Sequence, residues 1–114
     1  MYPPSAMSKI ILFEYFLKTL VEWYCDFYSI RIEAFNTHSF NNLSKLKVIK
    51  LHFFTCSTSQ DALAFYDDFH AMPYGHVESE VYNKIGHLQF CSVPNTSLFI
   101  KDMDNFKHLT CDNH

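Results

Sequence analysis

Asn42-Leu43-Ser44-Lys45-Leu46-Lys47-Val48-Ile49-Lys50-Leu51-His52-Phe53-Phe54 opens the stretch 42–85, whose reading decides the fold of this chain. Asn42 is an N-cap residue type, with a side-chain oxygen able to take an orphan amide of the first helical turn. Leu43, Leu46, Ile49, Phe53 and Cys56 recur at helical spacing while Lys45 and Lys47 leave on the other side, which predicts a helix from Leu43 to about Cys56. The polar cluster Thr55 to Ser59 ends it, and Gln60 to Phe65 has room for one further turn. Phe69 to Met72 predicts a strand stopped by Pro73, and Gly75 has the backbone freedom that a sharp corner needs. Ser79 then predicts the cap of a helix from Glu80 to Ile85, with Gly86 closing it.

Working outward, Tyr2-Pro3-Pro4-Ser5 reads as a lead-in, because two adjacent prolines cannot continue a helix. Ser8 is placed to cap a helix ending near Ser29. Its apolar face is Ile10, Phe13, Leu17, Leu20, Val21, Tyr24 and Phe27, and Lys9, Glu14, Lys18 and Glu22 occupy the other face. Glu14 and Lys18 stand in the favourable i,i+4 order. From Arg31 to Phe40 the alternation suits a short strand or an extended connector equally. Leu88, Phe90 and Val93 alternate weakly up to Pro94. Thr96 or Ser97 then predicts the cap of a last helix carrying Leu98, Phe99, Met103, Phe106 and Leu109. No repeat or linker divides the chain, so one domain over 1–114 is expected, with residues 1–7 as its lead-in.

The chain is 48% hydrophobic with 12 Phe and 7 Tyr, a composition that excludes disorder and strains the capacity of a small core. Two readings follow: an exposed aromatic patch for a protein partner, or an aromatic core rimmed by tyrosine hydroxyls. Net charge is −3 and no basic run follows a phosphate backbone, which argues against nucleic acid. The apolar run Ile10 to Phe13 is interrupted by Glu14 and Lys18, too soon for a membrane span. Cys25, Cys56, Cys91 and Cys111 are widely separated with no secretory context, so free thiols in a soluble cytoplasmic protein are expected.

Reactive chemistry finds little footing. His108-x2-Cys111-x2-His114 has zinc-ligand types but no evident fourth ligand, and in His87-x3-Cys91, if that segment is a strand, the two side chains face the same way but lie too far apart, so neither metal nor cofactor is expected. Cys56 ends an apolar stripe, which suits an inert core thiol rather than a nucleophile. Asp67-Asp68 reads as a solvated turn edge, and Glu80 falls in the first turn of its helix, where the dipole favours it. With Gly75 and Gly86 as the only glycines, no Gly-rich phosphate loop can form. Lys45, Lys47 and Lys50 make a basic patch, either solvated or facing an anionic partner surface. Phe69, Met72, Tyr74 and Tyr82 are brought together by the strand, corner and helix start. Phe69 and Tyr82 can serve there as core or as docking residues, whereas Met72 and Tyr74 sit at the corner and are placed to anchor a partner.

The 42–54 segment resembles the N-x-K-L-Q-K-L-L-Y-F helix of the Panacea domain. Asp68-Phe69-His70-Ala71-Met72-Pro73-Tyr74-Gly75-His76-Val77-Glu78-Ser79-Glu80-Val81-Tyr82 is similar to that family's D-F-E-A-W-x-Y-G-P-V-x-P-E-V-Y signature. Glu14-Tyr15-Phe16-Leu17 resembles its first helix more weakly. Met72 replaces the family's Trp, His76 and Ser79 replace prolines, residues 24–40 resemble an insertion, and the C-terminal part is shorter than the family's. The resemblance implies an α+β fold, mainly helical with a small β element. It also implies a non-enzymatic interaction module: a SocA-like or phage-associated antitoxin that neutralises a toxin by direct binding in a toxin–antitoxin system. The alternatives are a proteolytic adaptor delivering its toxin to a protease, a phage-encoded inhibitor aimed at a host or phage defence protein, and a small His/Cys metalloenzyme. The expected partner-binding residues are Met72, Tyr74, Gly75, Phe69, Tyr82 and Lys50.

Overall fold

The computed structural model describes residues 6–38, 43–57, 69–72 and 75–109. Its longest element, α1 (Ala6–Tyr28), packs against segments drawn from most of the chain. Ser8 lies inside this helix rather than at its cap. The predicted core face holds for Phe13, Leu17, Leu20, Val21 and Tyr24, but Phe27 is exposed. The opposite face is the larger correction. Lys9 and Glu14 are buried, and Lys18 is half-buried. Each has found a partner distant in sequence. Lys9 Nζ lies 2.8 Å from Glu78 Oε2, and Glu14 Oε1 accepts from the Phe90 amide at 3.0 Å. Lys18 Nζ donates to the carbonyls of Lys107 and Leu109 at the end of the last helix, where a cation is favoured. Burial raises the pKa of the Glu14 carboxyl, against hydrogen bonds from the backbone of Phe90 and Gln89.

α1 stops in a Schellman motif. The Ser29 amide donates to the Asp26 carbonyl (3.2 Å), the Ile30 amide to the Cys25 carbonyl (3.0 Å), and Ser29 takes a φ of 55°. A serine in this left-handed position is strained, and glycine is not. Ser29→Gly is therefore expected to raise stability by about 0.5 kcal/mol, the relief exceeding the added freedom of the unfolded chain. A lower urea midpoint for the variant would show that the position is unstrained.

The segment after this turn is a 3-10 helix, Ile32–Thr37, rather than a strand or connector. Phe35 anchors it in the core, edge-to-face on Tyr24 with ring centroids 5.3 Å apart. The Asn36 side chain donates to the Ile100 carbonyl at 2.9 Å and accepts from the Ile100 amide at 2.8 Å, imitating one rung of a neighbouring strand.

α2 (Lys45–Ser57) begins two residues later than its spacing predicted. The Lys45 amide donates to the Pro94 carbonyl and the Lys47 amide to the Ser44 hydroxyl, so Ser44 takes the capping role expected of Asn42, which lies outside the described residues. The buried face is Val48, Ile49, His52 and Cys56, while Leu46 is exposed and Phe53 half-buried. Both sets are helical in period, and the position of α1 selects between them. The Phe13 and Phe16 rings meet His52 at 5.0 and 5.2 Å, and the last turns of α1 share a groove with the first turns of α2. The two helices therefore run antiparallel.

β1 (Phe69–Met72) falls where the strand was expected. It pairs antiparallel with β2 (Gly75–Glu78), from Phe69 opposite Glu78 to Met72 opposite Gly75. The expectations for Gln60 to Phe65 and Asp67-Asp68 lie outside the described residues. β2 packs on α2 and runs into α3 (Ser79–Lys84), which contacts α1. The cap of α3 is Glu78 rather than Ser79: its Oε1 accepts from the Glu80 amide at 2.8 Å and the Val81 amide at 3.3 Å. Gly86 lies within a following 3-10 turn, Ile85–His87.

The expected last helix is divided. β3 (Cys91–Ser92) pairs with β4 (Phe99–Ile100), and α4 (Met103–Lys107) starts only after Asp102, whose carboxylate accepts from the Asn105 amide. The Phe90 carbonyl accepts from the Lys101 amide, which keeps the backbone paired past β4. Leu88, Cys91, Val93, Leu98, Ile100 and Phe106 bring this half into the same core cluster as α1 and α2. The fold is mainly helical with small antiparallel β elements, an α+β arrangement. Among the described residues no helix is long and apolar enough to cross a membrane.

Candidate interaction surface

The two sequence blocks set apart at the outset meet in space. β2 lies on α2, α3 follows directly, and the Lys45 ammonium sits 4.7 Å from the centre of the Tyr82 ring, a cation–π contact that closes α2 onto α3. Tyr82 is half-buried and packs against the core, while Lys50 is exposed on α2. Phe69 and Met72 are the end residues of β1, and Gly75 opens β2. The side chains of 69 and 72 lie outside the described residues, as does Tyr74 altogether.

The residue that ties this platform to α1 is Glu78, which the sequence offers with Glu80 as a possible acid–base pair but not as a partner-binding residue. Glu78 is buried, one carboxylate oxygen capping α3 and the other bound to Lys9 of α1. Glu80 Oε2 also approaches Lys9, at 3.3 Å, so the Glu78-x-Glu80 carboxylates converge on a lysine rather than on a substrate-sized space. The signal available in sequence was a carboxylate immediately before a helix start, and Ser79 beside it is the commoner cap.

The groups that could be reactive are withdrawn from solvent. Cys56 Sγ lies 3.7 Å from His52 Nε2, one helical turn away, and both side chains are buried. Desolvation pushes the His52 imidazole down to about 4. Burial, assisted by the nearby Glu78 carboxylate, pushes the Cys56 thiol up to about 11. These shifts favour neutral thiol and neutral imidazole, the reverse of the thiolate–imidazolium pair that a cysteine nucleophile requires. Burial raises the Cys91 thiol too. His87 is exposed whereas Cys91 is buried, so they do not converge. Among the described residues no group of three His, Cys, Asp or Glu side chains is arranged to hold a metal. His108 is exposed after α4, and Cys111 and His114 lie outside the described residues.

A second surface lies on the other side of α2. Trp23, Phe27 and Tyr28 remain 59%, 68% and 40% exposed, and the Trp23 and Phe27 rings stack with centroids 5.8 Å apart. Beside them runs a groove of about 470 Å³ whose lining includes Leu20, Leu43, Lys47 and Leu51. An exposed aromatic patch, one of the two readings that composition left open, is present on the last turns of α1, beside a core that itself holds Phe13, Tyr24, Phe35 and Phe106. Comparison with family models, curated proteins and solved structures returned no significant match.

Proposed function

We propose that this chain is a non-enzymatic binding module of the antitoxin type, acting in the cytoplasm, which neutralises a toxic protein by covering its working surface. The observation that carries this reading is the docking of the two Panacea-like blocks into one platform, with β2 on α2 and Lys45 over Tyr82. The inert protonation of His52 and Cys56 supports it, because a binding scaffold has no use for an activated thiol. Lys50 and Tyr82 stand on α2 and α3, with β2 packed on the first and running into the second. Affinity in such a module rests on a few aromatic anchors, with charge steering the encounter.

The test is co-expression with the product of the neighbouring gene. Growth arrest by that product alone, relieved by this chain, is the expected result. Tyr74→Asp, Tyr82→Ala and Lys50→Glu should weaken the complex tenfold or more and restore the arrest. Undiminished relief by all three variants would remove the platform as the binding surface.

A further inference from the structure

The aromatic surface on α1 has the form of half of a symmetric interface, and we propose that a second copy of this chain occupies it. The stacked Trp23 and Phe27 rings form a ridge, and the groove toward α2 lies directly beside it. A ridge and a groove side by side on one face are self-complementary. A two-fold axis between them seats each ridge in the other copy's groove, giving the closed isologous contact of most homodimers.

Charge follows the same plan. Lys47 stands on the α2 lip of the groove, and Asp26 stands one helical turn from Trp23, on the flank of α1 that is turned away from that groove and so toward the lip of the copy whose groove the ridge enters. Both are exposed, and neither has an ion-pair partner among the described residues. The two-fold that inserts the ridge carries Asp26 of each copy toward the partner copy's lip, so the contact contains two opposite-charge pairs. The alternative occupant, an unrelated protein, has no such complementarity drawn from the chain itself.

Area sets the strength. A buried aromatic side chain removes roughly 150–250 Å² from water, so the fractions of these three rings still exposed amount to roughly 350 Å². A standard interface buries about 800 Å² per partner, and the rings supply somewhat under half of it. A concentration-dependent dimer is expected, not an obligate one. It leaves the α2–hairpin–α3 platform free, so the inference stands apart from the proposed target binding.

Sedimentation velocity on the full chain from about 1 to 300 µM tests it, a span set by the micromolar strength of small interfaces. A reversible dimer is expected, weakened tenfold or more by Trp23→Ala and by Phe27→Ala. Asp26→Lys and Lys47→Glu should each weaken it, and the two combined in one chain should restore it, an outcome that general loss of folding cannot produce. A monomer across the whole range, a dimer indifferent to Trp23→Ala, or a double charge variant no better than the singles would each overturn the proposal.

Discussion

Lys9→Met should lower the unfolding free energy by about 3–5 kcal/mol, the cost of leaving a buried carboxylate without its counter-ion. Methionine keeps the length of the lysine stem, so the loss reports on charge more than on packing. Glu78 holds the amides of Glu80 and Val81 and cannot turn toward water without releasing the start of α3. A domain of this size is stable by about 5–15 kcal/mol, so the loss removes between about a fifth and all of that margin. Urea unfolding followed by far-UV circular dichroism measures it. Combining Lys9→Met with Glu78→Gln should recover much of the loss, because the neutral amide oxygen still caps α3 and only the part-exposed Glu80 carboxylate is left beside position 9. A single-variant loss below about 1 kcal/mol would mean that the pair behaves as a solvated surface bridge.

Acid should unfold this protein early, and His52 is the reason. The imidazole has a folded pKa of about 4 against an ordinary value of 6.5, so the unfolded chain binds its proton more readily. Its contribution to stability is complete above pH 6.5, declines as pH falls from 6.5 to 4, and levels off below. The depression is worth about 3 kcal/mol over that window. Glu14 works in the opposite sense. Its raised pKa favours the folded state as pH falls and withdraws that contribution as pH rises through the folded value. Urea titrations at pH 7 and pH 4 on wild type and His52→Gln separate the two groups. The wild type should lose about 3 kcal/mol more than the variant between the two pH values. Equal losses would assign the acid sensitivity elsewhere.

What was legible in the sequence were features with a local cause. β1 could be read because Pro73 ends the half-alternating run Phe69-His70-Ala71-Met72, and α2 because its apolar residues keep a helical period. The phase of α2 was not legible, because Leu46 and Val48 are equally apolar and only the position of α1 decides which is covered. Lys9, Glu14 and Lys18 looked like a solvated face for a similar reason. The groups that satisfy Glu14 and Lys18 stand 76 and 91 residues away, beyond the reach of any periodicity argument. Phe27 shows the converse error. It keeps the period of the core, yet at the end of α1 it lines the open groove toward α2 and stays exposed. For the candidate platform, local patterning named Tyr82 and Lys50 but not the Lys45 contact or the part played by Glu78.

The two buried charges of α1 and the half-buried Lys18 also set an order of events. Each precedes its partner in the chain: Lys9 comes before Glu78, Glu14 before the Phe90 amide, and Lys18 before the carbonyls at 107 and 109. A nascent helix with two lysines and a glutamate awaiting partners cannot settle into an apolar interior without leaving those charges stranded. During synthesis the securing of α1 is thereby deferred until its partners at 78, 90, 107 and 109 have cleared the exit tunnel, long after the helix itself has been made.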